Sequence, residues 1–134
     1  MSYKFLEHTA DVCFEAEGKT LEDLFINCAL ALKESITEEK IKEKKEEKIF
    51  IKERDLESLL YSFLEELLVL IDIKKFIFSS IKEIKIEGFS LKAVVLGDDV
   101  RNYKISNPVK AITYNSMKIE KTKKNFKTKV VLDV

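Results

Sequence analysis

The pattern that most restricts the fold of this chain lies in residues 55–75. Leu56, Leu59, Leu60, Phe63, Leu64, Leu67, Leu68 and Ile71 recur there at helical spacing without a break. That spacing puts them along one broad face of an α-helix. Asp55 is suited to cap the first turn, Glu57 faces the positive end of the helix, and Lys74 and Lys75 complement its negative end. A face so wide has to be covered by a sheet or a second helix; the alternative is a helix that docks in a partner's groove. Directly after Lys75 the apolar period changes from helical to two, so a long helix is followed by strands.

The remaining elements fall around it. Residues 3–6 and 12–17 read as short strands, the second alternating Val12, Phe14 and Ala16 with Cys13, Glu15 and Glu17 until Gly18 ends it. Thr20 is a good helix cap with Asp23 in the first turn. Leu21, Leu24, Phe25, Cys28 and Leu32 then mark a helical stripe that runs to about Ser35. Residues 38–48 are a charge run of mixed sign, a solvated loop or polar strand edge rather than a polybasic arm. Residues 49–51 read as a buried strand and 76–79 as another. Residues 84–95 form a hairpin turning at Glu87-Gly88. Gly97-Asp98-Asp99 is expected to break the pattern, with an irregular stretch up to Pro108. Strands follow at 109–114, 117–120 and 126–132, the last with Phe126, Thr128, Val130 and Leu132 on one face. The expected class is α+β, two helices packed on a mostly antiparallel sheet, in a single domain spanning residues 1–134.

Composition narrows the function. The chain has 134 residues, 46% hydrophobic, with 24 basic and 24 acidic side chains. The zero net charge argues against strong non-specific nucleic-acid binding, although a basic face can sit inside a neutral total. Only Arg54 and Arg101 could form bidentate clamps on phosphate. Cys13 and Cys28 lie in apolar patterns, as small buried hydrophobes do. No run approaches the roughly 18 apolar residues of a membrane span, and the opening residues are too polar for a leader. A cytoplasmic protein is expected.

Residues 6–11, Leu6-Glu7-His8-Thr9-Ala10-Asp11, carry the only histidine, two carboxylates and a hydroxyl between two apolar runs. Side chains at such a junction can be held by a scaffold and still reach a ligand. There is no Gly-x-Ser-x-Gly, no phosphate loop and no dinucleotide glycine motif, and one histidine with two apolar-flanked cysteines does not make a zinc site. Oxygen chemistry remains. Asp11 and Asp133 stand at strand ends, Asp98 and Asp99 form a third acidic point, and Val134, last in the sequence, would add a carboxylate beside Asp133. Carboxylates brought together bind Ca²⁺ or Mg²⁺; aspartates at strand ends are also common surface residues, and spacing does not separate the two readings. Lys110 is either a solvent-facing lysine or a cation set to meet an anionic partner group. His8 is either the base of a metal-dependent hydrolase or a hydrogen-bonding cap of its turn.

Together these residues resemble the archease family. Leu6-Glu7-His8-Thr9-Ala10-Asp11 is similar to that family's first signature, followed by Leu21-Glu22-Asp23-Leu24-Phe25 at a helix start. Lys110-Ala111-Ile112-Thr113-Tyr114 is similar to the second signature and Val130-Val131-Leu132-Asp133-Val134 to the terminal one. The chain departs from the family at Cys13, commonly glycine, and at Asn115, often histidine. The resemblance implies an accessory protein and not a stand-alone enzyme. Its partner would be the GTP-dependent tRNA-splicing RNA ligase, whose guanylylation and multiple turnover it would promote and whose nucleotide use it could broaden. It implies a divalent metal, calcium in type, on Asp11, Asp133 and Val134, with Lys110 and His8 facing the partner or its phosphates. It also implies a strand-helix-strand-strand unit with a related unit inserted in it. A general chaperone is the other interaction-protein reading.

Overall fold

The computed structural model describes residues 2–6, 12–114 and 117–134. The two expected helices are α1, Leu21–Ile36, and α2, Leu56–Lys74. Their starts follow from local chemistry. Thr20 Oγ1 accepts the Asp23 N–H at 3.0 Å and Asp55 Oδ1 accepts the Ser58 N–H at 2.7 Å, each satisfying a backbone donor that the first turn leaves without a partner. α2 ends at Lys75, which takes the left-handed conformation at φ 55 and donates its N–H to the Leu70 carbonyl, a common way to close a helix.

The strands are β1 (Tyr3–Leu6), β2 (Val12–Gly18), β3 (Lys45–Lys52), β4 (Phe76–Glu87), β5 (Ser90–Asp99), β6 (Ala111–Thr113), β7 (Ile119–Lys121) and β8 (Phe126–Asp133). They form two sheets, paired antiparallel throughout. The first runs β1-β2-β8-β6, with β7 also on β8, and the second β3-β5-β4. One topology occurs twice. In β3-α2-β4-β5 the last strand in sequence takes the middle of its sheet, between the first and the third; in β2-α1-β6-β8, β8 does the same between β2 and β6. The smaller unit enters between α1 and β6. This is the expected α+β arrangement of a unit with a related unit inserted, its strands shared between two sheets.

Both units drain their apolar faces into one cluster. Leu24, Phe25, Cys28 and Leu32 of α1 meet Leu59, Phe63, Leu64 and Leu67 of α2, with the Phe25 and Phe63 rings 5.9 Å apart. Phe14, Val130 and Leu132 close the cluster from the first sheet, and Ile77, Leu91 and Val95 from the second. Burying each of the larger side chains contributes about 1.5–3 kcal/mol relative to exposure. Cys13 and Cys28 are buried free thiols, as their apolar settings suggest; burial pushes the Cys28 thiol pKa up.

Four local expectations are corrected. Residues 76–79 and 84–87 belong to one strand, β4, whose register shifts between Phe78 and Ser80 and again between Ile81 and Glu83; such bulges interrupt simple alternation. β5 runs on through Gly97, Asp98 and Asp99, because the glycine there permits close packing and does not make a turn. The charge run does end as a polar strand edge, the second of its two expected forms, since β3 begins at Lys45. Within β3, Ile49 is 4% exposed but Phe50 is 65% exposed, so the strand is covered on one face only. Of the expected strands at 109–114 and 117–120, only Ala111–Thr113 and Ile119–Lys121 pair. The hairpin does turn beside Gly88, which has φ 60.

Candidate functional site at the end of the first sheet

β8 is held on both sides, by β2 and by β6 and β7. Its final residues are therefore placed by a paired strand. Leu132 is buried and sits opposite both Val12 and Ile112, and Asp133 sits opposite Ala111. Side chains alternate across a strand, so Asp133 projects from the face opposite Leu132 and is exposed. The Lys110 N–H donates to the Asp133 carbonyl at 2.7 Å. Lys110, Asp133 and Val134 are thus brought to one end of the sheet, all exposed.

Asp11 and His8 lie outside the described residues. Asp11 is bonded to Val12, which enters β2 opposite Leu132. Among the described residues no three His, Cys, Asp or Glu side chains gather where they could hold a metal ion. The described donors are the Asp133 carboxylate and the oxygens of Val134, adjacent in sequence, exposed, and with no soft or nitrogen ligand supplied. Oxygen donors are what a hard cation takes, but these two residues fall well short of its shell of about 6–8 oxygens.

Asp98 and Asp99 do not join this group. They are on the second sheet and their oxygens are engaged. Tyr103 Oη donates to Asp98 Oδ2 at 2.7 Å and the Asp99 N–H donates to Asp98 Oδ1 at 2.8 Å. Arg101 forks onto Asp99, Nε to Oδ1 at 2.9 Å and the Nη2 amine to Oδ2 at 2.6 Å. The Tyr103 hydroxyl, and then the Asp99 amide, hold the Asp98 carboxyl below its ordinary range, and Arg101 does so more strongly for Asp99. The third acidic point is a strand-end lock and not a ligand set.

The family model described as the archease protein family matches residues 3–134. The chain belongs to the archease family. Among similar archeases, that of Methanosarcina barkeri is 39% identical over 139 aligned positions, covering 98% of this chain and 95% of the relative. That of Pyrococcus furiosus is 44% identical over 126 positions, covering 89% and 88%. A solved structure of protein 1598 from Methanobacterium thermoautotrophicum superposes with a TM-score of 0.86 at 32% identity, covering 99% of each chain. The Thermotoga maritima archease, described as a possible chaperone, superposes with a TM-score of 0.68 at 26% identity, covering 98% of this chain and 96% of its own.

For an archease this end of the sheet has a support that sequence reasoning missed. Tyr114, just after β6, has its hydroxyl 3.1 Å from Ser58 Oγ, and its ring packs edge-on to Tyr61 at 5.3 Å. Glu57 Oε2 accepts the Ile119 N–H at 3.0 Å, next to β7. The first turns of α2, in the inserted unit, thereby brace the short strands beside β8. Nothing local in the sequence marks these contacts, because each partner lies more than fifty positions from the other. No helix among the described residues is long and apolar enough to cross a membrane.

Proposed function

We propose that this archease-family chain is an accessory protein that activates a GTP-dependent tRNA-splicing RNA ligase, promoting guanylylation of the ligase histidine and repeated turnover. It is not itself the catalyst. Its partner is a protein, and it acts in the cytoplasm. The observation that carries the reading is the pairing of Lys110 with Asp133 through the 2.7 Å backbone hydrogen bond at the exposed end of the central strand. A cation-bearing side chain and a carboxylate are held there by rigid strands, as a group that must meet a charged active site requires.

Asp133 and Val134, with Asp11, would hold a divalent cation of the calcium type. Such an ion supplies fixed positive charge for phosphate oxygens. The Asp133 backbone carbonyl fixes Lys110, and the residue is exposed, where a cation can reach its carboxylate. Lys110 stands ready to neutralise phosphate charge developing in the partner, and His8 belongs to the same partner-facing group.

The test is GMP loading of the cognate ligase with and without this chain. Loading should rise on addition, and the gain should fall roughly tenfold or more in Lys110→Ala or Asp11→Ala. Equal loading without the chain at every GTP concentration would overturn the reading. Activity of this chain alone with a pH profile of histidine type would favour a hydrolase using His8. Aggregation suppression indifferent to Asp11 would favour a general chaperone.

A further inference from the structure

We infer that the outer face of the second sheet binds single-stranded RNA, with Phe50 as a stacking platform and lysines around it as phosphate contacts. Both helices cover the other face of this sheet, where Ile49, Leu91, Ala93 and Val95 are buried. The outer face carries Phe50, 65% exposed, which is far more than a phenylalanine in a paired strand needs to be. Phe50 sits opposite Lys92 on β5, and Lys92 sits opposite Lys85 on β4, so the three form one row across the sheet. Lys48 and Lys52 flank Phe50 on its own strand, two residues away on the same face.

The charges are placed around the ring. Lys92 Nζ lies 5.6 Å from the Phe50 ring centre. One lysine covers at most one side of a ring, which leaves the other for a base. Lys85 is paired with Glu87 at 2.8 Å, and Glu83 faces Val94 on the next row. Among the described residues Lys48, Lys52 and Lys92 make no ion pair. A shallow cleft of about 700 Å³ opens on this face, lined by Phe50, Lys48, Lys85, Lys92, Glu83 and Val94.

This chemistry favours unpaired nucleotides. A base stacks on an exposed aromatic ring only when it is free of a duplex, and lysines beside the ring meet the flanking phosphates. An acidic peptide would use the lysines but leave the ring exposed. With no arginine on the face, recognition should be tolerant of sequence. Glu46 and Glu87 share this face but are each paired with a lysine, so beside Glu83 the charge left over is that of Lys48, Lys52 and Lys92, an excess that the neutral total of the chain conceals.

Fluorescence anisotropy of a labelled oligouridylate with the full chain tests it. Binding should weaken with salt, and Lys48→Gln or Lys92→Gln should each reduce the salt slope by about 0.7. Phe50→Ala should weaken binding about tenfold, with an unchanged thermal midpoint because the ring is exposed. The chain has no tryptophan, so Phe50→Trp places a single reporter whose emission RNA should quench. Duplex RNA of equal length and polyglutamate should both compete poorly. Unchanged affinity in Phe50→Ala, an unmoved tryptophan signal, or polyglutamate competing as well as RNA would overturn the assignment. Phe50 is on the second sheet and Lys110 stands at the end of the first, so this experiment and the ligase-loading assay fail separately.

Discussion

Asp98 is 3% exposed and still favours its charged form, because the Tyr103 hydroxyl and the Asp99 amide donate to its two oxygens. A carboxyl whose folded pKa is depressed adds stability above its unfolded pKa of about 3.9 and loses it as pH falls through the folded value. Tyr103→Phe should therefore destabilise the chain at neutral pH. The gap from wild type in urea unfolding should narrow as pH drops below about 4; a gap independent of pH would mean that Tyr103 acts through packing alone. At this scale the sequence was most legible where partners are neighbours. Thr20 and Asp55 cap their helices because the amide each needs is three residues away. Phe50 was misread because an apolar run in a charged context looks buried, and only the second sheet's one-sided cover shows which way it points. Lys110 and Asp133 were linked by family resemblance, not by chemistry, since a bond between residues so far apart has no local signature.

Whole elements were legible when their period was clean. α1 and α2 were, and so was the hairpin beside Gly88. β4 was split in two because its bulges reverse the alternation that identifies a strand. β5 was cut short at a glycine whose purpose is tertiary. A Cβ on Gly97 would lie 2.0 Å from the Ile77 carbonyl oxygen and 2.8 Å from the Phe76 ring, whereas one on Gly88 would meet nothing within 4 Å. The two glycines should therefore respond differently. Gly88→Ala meets only the left-handed backbone penalty, about 1–2 kcal/mol. Gly97→Ala must push β4 away from the middle strand of its sheet and should lower the thermal midpoint further. Equal midpoints for the two variants would show that β4 yields without cost.

Across the molecule, the two units share a core and several polar ties. Lys33 of α1 reaches the Ser79 carbonyl of β4 at 3.1 Å, and Glu22 Oε2 of α1 accepts the Ile86 N–H of β4 at 3.1 Å. Phe63, fully buried against Phe25, stands where the units meet. Phe63→Ala should cost about 3–5 kcal/mol. Amide exchange should then speed up by similar factors in β5 and β8; loss of protection in β5 alone would mean that the units open separately and that residues 1–134 are not one cooperative domain. The repeated topology behind this was not visible as sequence similarity, since two units can share strand order while sharing few residues. That strand order also has a consequence for biosynthesis. On the ribosome, β3, α2, β4 and β5 emerge as a contiguous block and can close on themselves once residue 99 has cleared the exit tunnel. β2 must wait beside β1 until residues 126–133 are made. The guest is ready before its host, and the edge of β2 that β8 will pair stays open through most of translation.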